Sequence, residues 1–155
     1  MQQIKWFQRN FNFDFAQNIF PSIIERLAGT PVRLEEKFKF IPPAILSVKI
    51  NGAWSIKENV GHLIDLEPLW QGRLEDILND KTELRPTDLQ NIKTSEANHN
   101  AVAIEKLLSD FRQIRNQTIN LIENLTEKQI FKSAPSPAIK STYAYNGFIF
   151  ICCRT

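Results

Sequence analysis

Apolar residues recur at intervals of three and four along most of this chain, a spacing that predicts helices packed through one face. The clearest stripe runs through Ile56, Val60, Leu63, Trp70, Leu74 and Ile77, and a second through Ile104, Leu107, Leu108, Phe111, Ile119 and Ile122. Ser55-Ile56-Lys57-Glu58 reads as a capping box that opens the first of these helices. The serine oxygen accepts from the third amide, and Glu58 reaches back to the serine amide. That helix should continue to about Leu78, bending where Pro68 frees the carbonyl of Ile64. The second stripe predicts the longest helix, from about Ser95 to Asn124, with Thr126 to Gln129 as another capping box behind it. Upstream, Phe20-Pro21 starts a helical stretch through Leu27. Gly29 suits a C-cap, and Thr30-Pro31 then restarts a helix that runs to about Phe40 and ends at Ile41-Pro42-Pro43. Residues 44–53 read as a loop turning at Asn51-Gly52, and 79–93 as a polar crossover connection. Strand-like alternation occurs only in the last fifteen residues.

At 155 residues the chain is a single domain, 1–155, long enough to bury about two thirds of its unfolded surface. Nineteen basic and 17 acidic residues leave a net charge of +2, which gives no footprint for nucleic acid. No stretch approaches the roughly 20 apolar residues of a membrane span, and the first residues lack a secretory pattern. With only the adjacent pair Cys152 and Cys153, a disulfide framework is not expected, and a cytoplasmic location is. Four of the eleven phenylalanines fall between Phe7 and Phe15 and read as an aromatic arm clamped onto the bundle.

His62 lies at the margin of the apolar stripe, with Glu58 four residues before and Asp65 three after. Either carboxylate could orient its imidazole or share a cation with it. By position alone a histidine there reads as a satisfied or half-exposed structural residue. The surrounding string W-S-I-K-E-N-V-G-H-L-I-D-L-E-P-L-W-Q-G-R, from Trp54 to Arg73, resembles the second-helix signature of the DinB-like superfamily of metal-dependent enzymes. Phe20 to Glu36 and Thr94 to Arg115 are similar to the same group, and the likeness extends over about residues 5–134.

The resemblance implies an all-α, up-and-down four-helix bundle, often a homodimer. It also implies a divalent metal, zinc or nickel, held by one histidine of the second helix and two of the last, four residues apart. Family members include thiol-dependent transferases, isomerases and hydrolases, which implies a small-molecule thiol as substrate and neither nucleic acid nor membrane as partner. Two imidazoles four apart on a helix and one from a facing helix leave open positions where a cation activates water or a thiolate. Carried onto this sequence, His62 is the second-helix ligand, and nothing matches the other two. His99 is the second and last histidine and falls in a segment similar to a non-ligand part of the family. Cys152 and Cys153 are soft donors whose adjacent side chains point apart. Tight metal binding is therefore not expected.

From Pro135 onward the helical period is lost, two prolines intervene and an apolar β-type run follows. Shifting the reading frame by one base there, with synonymous codons chosen freely, can encode an amphipathic helix ending where the family's histidine cluster begins. Residues 135–155 are thus expected to be a frameshift product and 1–134 the family-like part, with the last helix missing or replaced by an irregular tail. Two functions follow as expectations: a metal-dependent transferase or hydrolase scaffold with an incomplete centre, or a non-catalytic bundle that dimerises through the aromatic arm and its uncovered side.

Overall fold

The computed structural model describes residues 19–136 and 139–144. Among these, three long helices form the body: α1 (Phe20–Phe38), α2 (Ile56–Leu78) and α4 (Ile104–Glu123). Between the last two lie the short α3 (Ile92–Glu96) and a 3-10 turn, His99–Ala101; α5 (Glu127–Ile130) follows α4. The helix α4 packs against both α1 and α2. One apolar cluster joins Ile23 and Leu27 of α1, Trp70 and Ile77 of α2, and Ile122 of α4. A second joins Leu46, Val60 and Leu107 at the other end of the bundle. The stripes of α2 and α4 expected from the sequence supply these contacts. None of the described helices is long and apolar enough to cross a membrane.

Both capping boxes form. Ser55 Oγ accepts from the Glu58 amide at 3.1 Å, and Glu58 Oε2 accepts from the Ser55 amide at 2.8 Å. Thr126 and Gln129 repeat the arrangement at α5. Asn51 and Gly52 both take positive φ, 52° and 75°, as a tight turn requires.

Two expected boundaries are corrected. The helix does not break at Gly29: α1 is continuous, with Pro31 inside it. Thr30 turns its hydroxyl back onto the Arg26 carbonyl at 2.8 Å instead of capping a new helix. An internal proline costs about 3 kcal/mol. Burial of Ile23 and Leu27, each worth roughly 1.5–3 kcal/mol, offsets it. The second correction concerns the expected helix from Ser95 to Asn124, which is interrupted between α3 and α4. Asn98 adopts a left-handed conformation (φ 48°), and Val102 is extended. Tertiary contacts hold this irregular segment: Ser55 Oγ donates to Asn100 Oδ1 at 2.6 Å, and Lys57 Nζ to the Asn100 carbonyl at 3.2 Å. Among the described residues the longest helix is consequently α2, with 23 residues.

Where a fourth long helix would follow, the described part of the tail forms an antiparallel pair of strands, β1 (Ser133–Ser136) and β2 (Ile139–Ala144). Ser133 pairs with Ala144, and the register shifts between Pro135 and Ser136. Ala134 is buried against the Leu27–Trp70 cluster, so the start of the strand pair covers part of the core. The aromatic arm and Cys152-Cys153 lie outside the described residues.

Candidate functional site around His62 and Asp65

The capped N-terminal half of α2 carries His62 and, one turn later, Asp65 toward α3 and the crossover connection. Asp65 Oδ2 accepts the Thr94 hydroxyl at 3.0 Å and stands 2.8 Å from His99 Nε2. Lys93 Nζ approaches the other oxygen at 3.5 Å. Thr94 Oγ1 is in turn 3.0 Å from His62 Nδ1. One carboxylate thus carries both histidines of the chain, His99 directly and His62 through a threonine.

The packing of each ring has a specific cause. Trp54, the residue before the cap, lies over the His62 imidazole with ring centroids 4.8 Å apart and planes tilted by 52°. His99 packs against α2 in the space left by the glycine at residue 61. A Cβ there would stand 2.2 Å from the His99 ring carbons. Burial pushes the His62 pKa down, the nearby His99 adds to this, and Asp65 opposes it. A cleft of about 290 Å³ opens beside the cluster, lined by His62, Asp65, Thr94, Lys93, Thr87 and Asp88 among others.

The sequence-derived site residues are brought together only in part. Glu58 does not orient His62; it is committed to the Ser55 amide and to Lys49, whose Nζ is 2.6 Å away. Asp65 does reach the imidazole, through Thr94. His99, read from sequence as a non-ligand segment, joins the same cluster. Thr94 escaped sequence reading because it lies 32 positions from His62 on a five-residue helix, with no local signal. Gly61 escaped because nothing in a sequence says which ring lies against it.

Three charged residues of α2 that a polar–apolar reading places at the surface are also buried: Glu67, Arg73 and Asp76. Glu67 pairs with Arg115 of α4 at 2.5 Å and accepts the Thr118 hydroxyl. Burial pushes its carboxyl up, against the pull of Arg115 and Thr118. Asp76 holds the crossover connection through the Arg85 guanidinium and amide, and those bonds hold its carboxyl below the usual range. Gly72 gives the Arg85 guanidinium room against α2.

The donor set fits a metal ion incompletely. Among the described residues no group of three His, Cys, Asp or Glu side chains could hold one. The Asp65 and Glu58 carboxylates are engaged as above, which leaves His62 as a single imidazole at the edge of the cleft.

Against known proteins, the DinB superfamily model matches residues 26–146. No curated protein matches the chain at a significant level. Among solved structures, YfiT from Bacillus subtilis superposes with a TM-score of 0.80 at 16% identity, over 94% of this chain and 83% of that one. That protein is described as a probable metal-dependent hydrolase with an unusual four-helix bundle topology.

Proposed function

This chain belongs to the DinB superfamily, and from that premise we propose that it is a metal-dependent transferase or hydrolase scaffold with an incomplete centre. His62 is the one ligand it keeps, and the ancestral substrate was a small-molecule thiol or a hydrolysable compound handled in the cytoplasm. The observation that carries this reading is the setting of His62: half-buried, at a cleft, and oriented through one ring nitrogen while the nearby carboxylates are engaged elsewhere. Ligating histidines are oriented in this manner by the groups behind them. A single imidazole does not hold zinc or nickel tightly, because such centres take three or four protein donors. No reaction step is therefore assigned to a metal here. Metal analysis of the purified chain should find zinc and nickel well below one per molecule. A stoichiometric ion, retained through chelation and lost in His62→Ala, would overturn the incompleteness.

A non-catalytic bundle that pairs with a second copy is the other reading, favoured by exposed apolar residues after α1. Phe40 is 83% exposed and Ile50 69%. Sedimentation over a concentration series should give a defined dimer if it holds. The frameshift origin of residues 135–155 is tested separately on the DNA around codon 134, where another frame must encode an amphipathic helix.

A further inference from the structure

The hydrogen-bond chain behind His62 fixes more than the position of its ring. A carboxylate oxygen accepts, so at the 3.0 Å contact between Thr94 and Asp65 Oδ2 the threonine hydroxyl is the donor. A hydroxyl has one proton. Thr94 Oγ1 therefore meets His62 Nδ1 as an acceptor, and at that 3.0 Å contact the imidazole must supply the hydrogen. With the opposite tautomer, two lone pairs would face each other across one of these two contacts. His99 does not relieve the constraint, because its Nε2 also donates to Asp65 Oδ2. The ring of His99 is in turn held by the glycine at position 61, which lets it lie against α2.

We propose that Thr94 is a positioning residue that fixes the tautomer of His62, with the proton on Nδ1 and the lone pair on Nε2. The nitrogen left with a lone pair is then the only ring atom of His62 able to act as a base or acceptor. Asp65 sets the direction of the chain, Thr94 transmits it, and His99 and Lys93 hold the carboxylate in place. The inference takes His62 as the working imidazole of the reading above. Its test needs no metal, so the two can fail separately.

Long-range proton–nitrogen NMR on metal-free protein labelled at histidine reads the tautomer directly. At about pH 9, well above the ordinary imidazole range and further above the lowered pKa of His62, the ring of His62 is neutral. The chain has two histidines, so the spectrum of His62→Gln identifies which signals belong to residue 62. The wild-type spectrum decides first: Nδ1 should be the protonated nitrogen and Nε2 the bare one. A wild-type His62 protonated mainly at Nε2 overturns the proposal without any variant. Thr94→Val should convert the Nδ1–H form from the major to the minor species, because the isolated ring favours Nε2–H. Thr94→Ser, which keeps the hydroxyl, should restore the wild-type pattern. A Thr94→Val protein that folds and keeps Nδ1–H as the major form would also overturn it.

Discussion

Two carboxylates of α2, Asp65 and Glu67, stand two residues apart and face different surroundings. Glu67 is 1% exposed and enclosed with Arg115, which is 2% exposed, between α2 and α4. Asp65 lies at the rim of a cleft, with a threonine, an imidazole and a solvated lysine as partners. The first is closed on every side by a fixed countercharge and by Thr118, to which Gln71 also donates at 3.0 Å. The second is held by His99 on one side and, on the other, by Thr94 and Lys93, which line space for a ligand. A buried ionic network on a helix is thus no guide to function by itself. Access and the nature of the partners separate the site from the scaffold.

The largest effect should come from opening the enclosed pair. Arg115→Met leaves a buried charge without its partner and should cost about 3–5 kcal/mol in urea unfolding, whereas Glu67→Met/Arg115→Met should lie near wild type. A single variant within about 1 kcal/mol of wild type would mean that Glu67 is less enclosed than its burial indicates. At the other carboxylate, Gly61→Ala puts a methyl group into the His99 ring and should cost roughly 1–3 kcal/mol. Adding His99→Ala should recover part of that loss, because the clash then has no second party.

The pH dependence separates the carboxylates further. Arg85 lowers the folded pKa of Asp76, so this contribution is complete above the ordinary carboxylate range and fades as pH falls through it. Glu67 has a raised folded pKa, so its contribution is present at low pH and is lost as pH rises past the ordinary range. Asp76→Asn should cost on the order of 1.5 kcal/mol at neutral pH and flatten the acid limb of the stability curve. Glu67→Gln should leave that limb intact.

The smallest effect is the most local. Ser55→Ala removes the helix cap and the bond to Asn100, for about 1 kcal/mol. Amide hydrogen exchange should quicken at residues 99–101 and stay unchanged around Arg115 and Thr118.

Helix positions were largely legible in the sequence. The stripes of α2 and α4 follow the helical period and both capping boxes rest on contacts within a turn, so each can be read from local spacing. The breaks were less so. Gly29-Thr30-Pro31 carries every local signal of a helix boundary, yet α1 runs through it because burial of its apolar face outweighs the local cost. The segment between α3 and α4 carries few such signals, yet it breaks because Ser55, Lys57 and Asp65 hold it from outside.

At the site, sequence marked His62 and named Asp65 as a candidate partner, since both sit on one helix at fixed spacing. It could not supply Thr94 or His99, which reach Asp65 from 29 and 34 residues away. Nor could it give the reason for Gly61, since a missing side chain acquires meaning only when a neighbour occupies its place. Local periodicity is written in the order of residues. Partnership across helices is decided only when the core closes and brings distant polar groups to the same buried point.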